Sequence, residues 1–271
     1  MPVLYVVATP IGNMEDITLR ALKVLKDVGL IAAEDTRKTR NLLNRYGITT
    51  PLTSYFEHNK LSKLTDILAA LGNKDMALVS SAGMPGISDP GYELIKAALE
   101  NGIKVVPIPG ASAVTTALAV SGLPTDNFLF CGFLPARTTA RRHFLRDRSE
   151  ITSTLIILEA PHRIRETLED MLAVLGDRRI AACRELTKIH EEIYRGTISE
   201  ALTHFQNPRG EFTLVVQGQL EESTPEITEN VEKQLHLMKK SGLSAKTAIS
   251  KLMAAGKYNH KDLYRAWLRQ N

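Results

Sequence analysis

The stretch MALVSSAGMPGISDPGYELIKAALENGIKVVPIPGAS, Met76 to Ser112, decides the fold. It reads as a buried strand over 76–80, a Gly- and Pro-rich loop over 81–90, a helix over 91–101 and a second strand over 104–108. A small-residue loop, Pro109-Gly110-Ala111-Ser112, then opens another helix. Ser81, Ala82, Gly83, Gly86 and Ser88 carry little or no side chain, so a ligand can approach the backbone closely, while Pro85 and Pro90 restrict the loop. Asp89-Pro90 also suits a helix start, with Asp as N-cap and Pro as first helical residue. One such loop is an ordinary capped turn. Two, each at the carboxyl end of a strand, stand where open α/β sheets bind their ligands.

Upstream, the apolar run from Leu4 to Ala8 reads as a first buried strand ending in Thr9-Pro10-Ile11-Gly12-Asn13. Its single glycine matches neither the dinucleotide fingerprint nor the nucleotide P-loop. In the helix that follows, Ile17, Ala21, Val24 and Val28 share one face. A second strand, 29–33, delivers Glu34-Asp35-Thr36-Arg37-Lys38. Acids at a strand end are candidate site residues, and Asp35 or Thr36 serves equally well as cap of the helix 38–46. Strands alternating with helices imply a parallel sheet with right-handed crossovers.

Gly122-Leu-Pro-Thr-Asp reads as a hinge into a second α/β half. Its strands end in Gly132-Phe133-Leu134-Pro135, in Glu159-Ala160-Pro161-His162-Arg163 and in Arg184-Glu185-Leu186-Thr187-Lys188. The chain is expected to turn near Gly196, and 211–216 closes this half as its last strand. An acidic stretch, 221–229, reads as a linker to a helical tail, where Ser244 and Asn259 are credible N-caps and two short helices join at 256–259. The expected domains are 1–121, 122–220 and 228–271.

Composition is that of an ordinary globular protein: 271 residues, 44% hydrophobic and 24% charged. No apolar run is long enough to span a bilayer, and the start MPVLYVVATP lacks a signal peptide's basic region, so a cytoplasmic protein without membrane attachment is expected. Two cysteines, Cys131 and Cys183, are too few for a disulfide scaffold or a cysteine-based metal site, and both read as core. The net charge of +4 permits an anionic partner without demanding one. Its distribution is more informative: Arg137, Arg141, Arg142, Arg146 and Arg148 crowd one segment, and nine Lys or Arg lie between Lys233 and Arg269.

Taken in order, Thr9-Pro-Ile-Gly-Asn, Ala33-Glu-Asp-Thr-Arg, the 81–91 loop, Pro107-Ile-Pro-Gly-Ala-Ser, Gly132-Phe-Leu-Pro, Glu159-Ala-Pro-His-Arg, Ala182-Cys-Arg-Glu-Leu-Thr-Lys and Arg209-Gly-Glu-Phe resemble the motifs of the bacterial small-subunit ribosomal RNA 2′-O-ribose cytidine methyltransferases, which have the tetrapyrrole methylase fold. The resemblance covers roughly residues 3 to 220 and is specific in combination. It implies two α/β domains with S-adenosylmethionine in the cleft between them, a small helical C-terminal appendage and a homodimer. It also implies a substrate ribose at a cytidine in the decoding region of ribosomal RNA, within the small subunit. By the same resemblance Pro10, Ile11 and Gly12 floor the cleft. Ser81, Ala82, Gly83, Pro85, Gly86, Ser88, Asp89, Pro109, Gly110, Ala111 and Ser112 hold the cofactor from the first domain, and Phe133, Leu134, Glu159 and Ala160 from the second. The family's central loop usually reads Ser-Asp-Ala-Gly, whereas here Ser81 stands in the acid's place.

Methyl transfer from a sulfonium to oxygen is an in-line displacement that needs no metal, and holding the reacting atoms in line supplies several kcal/mol. A carboxylate or histidine that takes the hydroxyl proton adds to this. Glu34, Asp35, Glu159, His162 and Glu185 are the candidates, with Glu34 and Glu159 slightly ahead. Arg37, Arg40, Arg137, Arg141, Arg142, Arg163, Arg184 and Lys188 are the candidate RNA contacts, positioning the backbone without reading sequence. Two other functions fit the same motifs: C-methylation of a tetrapyrrole, and a non-catalytic RNA-binding assembly factor.

Overall fold

The computed structural model describes residues 2–220, 227–256 and 258–270, which fall into two compact units, Met1–Gly218 and Gln219–Asn271. The first unit begins with β1 (Val3–Val7), α1 (Leu19–Asp27), β2 (Leu30–Ala33), α2 (Thr36–Arg45), β3 (Leu52–Ser54), α3 (Lys60–Leu71), β4 (Met76–Val79), α4 (Tyr92–Glu100), β5 (Lys104–Ile108) and α5 (Ala113–Ser121). The five strands form one parallel sheet in the order β3-β2-β4-β1-β5. Alternation along β4 explains the layering. Met76 and Leu78 face a core with Ile67, Leu71, Leu94 and Ala98 from α3 and α4, while Ala77 and Val79 face a core with Ala21, Leu25 and Leu43 from α1 and α2. Because all five strands run the same way, the loops after β1, β2, β4 and β5 emerge at one edge.

The second half contains β6 (Phe128–Phe133), α6 (Thr138–Arg146), β7 (Thr154–Glu159), α7 (Ile164–Leu175), β8 (Arg179–Arg184), β9 (Glu192–Thr197), α8 (Ile198–His204) and β10 (Phe212–Val216). Its sheet runs β6-β7-β10-β8-β9, with β6 and β7 parallel and the other three pairs antiparallel. One face of this sheet packs on α6, α7 and α8 through Leu155, Ile157, Leu214 and Ile180. The other face, with Ile156, Ala181, Cys183 and Val215, receives Ala117 and Leu118 of α5 and Ile11 from the first half. That packing joins the two halves into one unit. Gly196, expected at a turn, lies inside β9 and pairs with Ile180.

In the second unit α9 (Glu229–Lys240), α10 (Ala245–Ala255) and α11 (His260–Arg269) bury Leu235, Ile249, Leu252, Leu263 and Trp267 against one another. Ser244 caps α10 through Thr247 N, and Asn259 caps α11 through Lys261 N. Residues 221–226 of the acidic linker and Lys257 of the last turn lie outside the described residues. Among the described residues no helix is long and apolar enough to cross a membrane, and no cluster of three His, Cys, Asp or Glu is placed to hold a metal ion.

Candidate active site

Within the first unit the loops at the carboxyl edge of the parallel sheet and strand ends of the second sheet enclose a cavity of about 530 Å³. Thr9 and Gly83 exchange two backbone hydrogen bonds of 2.9 Å, which ties the loop after β1 to the loop after β4. Gly83 takes φ +80°, and a Cβ there would sit 3.6 Å from Ile11 Cγ2 and 3.7 Å from Ala111 O. Three loops therefore meet around a position that suits glycine. The Ser80 hydroxyl donates to Gly83 O at 3.2 Å and fixes the turn from below. Between the loop after β1 and the second half, Asn13 N donates to Thr187 Oγ1 at 2.9 Å. A Cβ on Gly12 would lie 2.5 Å from Lys188 Cγ and 2.8 Å from Leu186 O, so the two halves close on each other there with no space to spare.

The candidate bases separate by their surroundings. Glu34, at the end of β2, lines the cavity and accepts the Ser81 N–H at Oε2 (2.8 Å). Asp35 is the N-cap of α2, accepting from Arg37 N and Lys38 N, and its carboxyl is held below the usual range by the Lys38 N–H, against an opposing effect of burial. Glu159 touches the cavity but is fully engaged: Oε1 accepts Ala160 N (2.9 Å) and lies 3.3 Å from Arg163 Nε, while Oε2 accepts the Thr167 hydroxyl (2.7 Å). Glu185, at φ +51°, is bonded to Lys188 Nζ at 2.8 Å, and that bond lowers its pKa. His162 is exposed and outside the cavity lining.

Asp89 lines the cavity and does not cap the helix that follows. The N-cap of α4 is Gly91, which makes no side-chain capping bond. A Cβ on Gly91 would lie 2.9 Å from Gly86 N, so the backbone needs a glycine between Pro90 and the helix. Burial raises the Asp89 pKa to about 6, with Glu34 and Glu211 adding to the shift and Ser80 and Lys38 opposing it.

Of the other candidate cofactor contacts, Pro10, Ile11, Gly12, Ser81, Ala82, Gly83, Ser88, Ser112 and Phe133 line the same cavity. Pro85, Gly86, Pro109, Gly110, Ala111, Leu134 and Ala160 do not; a Cβ on Gly110 would lie 3.0 Å from Ala8 Cβ, in the loop after β1. Lys38, Met84, Glu211 and Thr213 also line it, although the sequence does not single them out. Lys38 ends the Glu34–Lys38 run, Met84 lies in the 81–91 loop and Glu211 is part of the Arg209-Gly-Glu-Phe motif; membership of those stretches is the available signal.

The cationic candidates divide likewise. Arg37 and Arg40 are exposed on α2, beside Lys38, and Arg137 is exposed ahead of α6. Arg141 is a correction: it is 1% exposed, with Nε on Asp170 Oδ2 at 2.6 Å and Nη1 donating to Ala136 O. Arg142 is half-exposed and shares Asp170 through Oδ1. Arg163 also turns inward, donating to Leu134 O at 2.7 Å and Pro135 O at 3.2 Å. Arg184 pairs with Glu192 and lies over the Phe205 ring, and Lys188 is paired with Glu185.

Small-residue turns, inward carboxylates and one cationic helix give a site able to hold a positively charged small molecule inside and a polyanion at its edge. Residues 3–202 match the family described as Tetrapyrrole (Corrin/Porphyrin) Methylases. A relative from Halalkalibacterium halodurans named ribosomal RNA small subunit methyltransferase I is 52% identical over 82% of this chain and 78% of its own length. One of the same name from Synechocystis is 45% identical over 97% and 96%. Two solved structures share the fold. Diphthine synthase superimposes with a TM-score of 0.64 at 14% identity, covering 82% of this chain and 92% of its own. Uroporphyrin-III-C-methyltransferase from Thermus thermophilus gives 0.57 at 19%, covering 80% and 94%. With the family match covering the whole first sheet and four of the five strands of the second, the chain belongs to the tetrapyrrole (corrin/porphyrin) methylase family.

Proposed function

We propose that this chain transfers the methyl group of S-adenosylmethionine to a ribose 2′-hydroxyl of a cytidine in small-subunit ribosomal RNA. The observation that carries the reading is the cavity itself, with carboxylates and apolar side chains inside and the exposed Arg37 and Arg40 on the helix that forms its wall. The names of relatives at 45–52% identity point the same way. A homodimer and a ribosomal substrate in the cytoplasm belong to the same proposal.

The residues present suit the cofactor. Glu34 offers negative charge to a cation, Met84, Val114 and Leu158 offer apolar surface, and the Thr9–Gly83 turn exposes backbone at close range. S-adenosylmethionine supplies an electrophilic methyl group on sulfur. The chain's part is to hold donor and hydroxyl together, exclude water and receive a proton. Arg37 and Arg40 engage phosphates at the cavity edge, where charge orients RNA without selecting sequence.

The test is transfer of labelled methyl from S-adenosylmethionine to small subunits taken from cells lacking this protein, followed by mapping. Label at a single cytidine 2′-oxygen is the expected result. Cofactor binding without label would turn the reading to tetrapyrrole substrates, and RNA binding without cofactor binding to an assembly factor. Ser81 makes a second prediction. Its N–H is held by Glu34, so an added carboxylate at 81 joins an existing anionic wall. Ser81→Asp is expected to tighten S-adenosylmethionine about tenfold at pH 8, the worth of one charge-assisted hydrogen bond. Unchanged affinity in calorimetry would mean that Glu34 already fills the acid's role.

A further inference from the structure

We propose that Asp89 is the catalytic base of this site, receiving the proton of the ribose hydroxyl on its carboxylate, while Glu34 positions the loop beside it. The inference rests on the methyl-transfer reading above and adds to it the residue that moves the proton.

The placement of Asp89 and the geometry of Ser88 before it single out this carboxylate. By sequence it reads as the cap of α4, yet in the structure Gly91 occupies the N-cap and the Asp89 side chain lines the cavity, in hydrogen-bonding contact with Ser80. The backbone before it is strained. Ser88, immediately before, holds φ +62°, a region non-glycine residues enter at a cost, and such strain is retained where the surrounding structure imposes it. The Ser88 side chain lies against Gly132 of the second half, where a Cβ would come within 3.4 Å of Ser88 Oγ, so the Ser88–Asp89 turn is braced from across the cavity.

Three of the other carboxylates singled out by sequence are committed elsewhere. Glu159 accepts from Ala160 N and Thr167 and faces Arg163; Glu185 is neutralised by Lys188; Asp35 caps α2. Glu34 has one oxygen on Ser81 N. Asp89 faces Glu34 after β2, Ser80 at the end of β4, Glu211 ahead of β10 and Lys38 on α2, and burial with the two acids raises its proton affinity to a pKa of about 6. A base of that strength is still ionised at neutral pH and holds a proton better than an ordinary carboxylate. The step balances without another reactant. The O–H bond breaks with its proton going to Asp89, the oxygen's electron pair forms the O–CH₃ bond, and the pair of the broken S–CH₃ bond stays on sulfur, which becomes neutral.

The experiment compares wild type, Asp89→Asn and Glu34→Gln on small subunits, following single-turnover methylation from pH 5 to 8.5 together with calorimetric binding of S-adenosylmethionine. Wild-type rate is expected to rise through about pH 6 and level off, because only ionised Asp89 accepts the proton. Asp89→Asn should be about a hundredfold slower or more, with the rise near pH 6 gone and cofactor affinity within threefold of wild type. Glu34→Gln removes the negative neighbour and should move the half-point to lower pH. A fast Asp89→Asn enzyme, or one whose pH profile matches wild type, overturns the proposal. So does loss of cofactor binding in Asp89→Asn, which makes Asp89 a cofactor ligand. Failure of wild type to label RNA at all is a different result and counts against the function proposed above.

Discussion

Arg141→Ala is expected to lower the stability of the first unit by about 3–5 kcal/mol, the usual consequence of stranding one member of a buried ion pair. Arg141 and Asp170 are 1% and 3% exposed, 2.6 Å apart, and join α6 to α7. Removing the guanidinium leaves Asp170 Oδ2 without its partner, although Arg142 still holds Oδ1. It also frees Ala136 O, next to the Phe133–Pro135 turn at the cavity. For a unit of this size the loss corresponds to a fall in Tm of roughly 10 °C. Replacing both partners by apolar residues, Arg141→Met with Asp170→Leu, should recover most of it, since a well-packed apolar pair escapes the desolvation of two charges. Thermal and urea melts check both variants. An RNA-contact role predicts the opposite pattern, with unchanged melting and weaker, less salt-dependent RNA binding.

That residue also marks a limit of what sequence can disclose. A run of arginines states charge, and burial of one of them depends on Asp170, 29 positions away on another helix. The parallel sheet of the first half is legible because its strands are short apolar runs separated by helices with clear one-face patterns. The second sheet is only partly so. β9 is an edge strand, Glu192-Ile-Tyr-Arg-Gly-Thr, whose residues are all partly or fully exposed, so its composition lacks the apolar signature of β7 or β10. β3, three residues after Pro51, is too short to announce itself. The helix α8 does carry a readable signal, the Thr197-x-x-Glu200 capping box, formed in both directions.

At the cavity the motif loops are marked by their small residues, yet the role of each acid is not written in its neighbours. Asp35 reads as a cap and is one; Asp89 reads as a cap and is not, because the close approach of Gly86 to Gly91 shifts the helix start past Pro90. Glu159 reads as a catalytic base or an ion-pair partner of Arg163, and Arg163 as a phosphate contact; the structure pairs the two with each other. Pairings decide such roles, and a single sequence offers them as alternatives without choosing between them.

For this reason Glu159→Gln is expected to act on stability and on binding together. The Glu159 side chain is fully buried, and every contact it makes is internal: Ala160 N, the Thr167 hydroxyl, and Arg163 at 3.3 Å. Arg163 in turn holds Leu134 O and Pro135 O, so the carboxylate fixes, through one guanidinium, the turn that carries Phe133 to the cavity. A neutral amide keeps an acceptor for Thr167 but leaves the guanidinium without its counter-charge. Arg163 retains some solvent contact, so the expected loss is about 2–3 kcal/mol, below the full buried-pair value. As the Phe133 turn loosens, affinity for S-adenosylmethionine should fall by roughly tenfold, and methylation at saturating cofactor should fall far less. Urea melts with calorimetry and single-turnover rates on the same preparation separate the possibilities. A Glu159→Gln protein that melts like wild type, binds cofactor normally and has lost turnover would assign the proton to Glu159 and take it from Asp89.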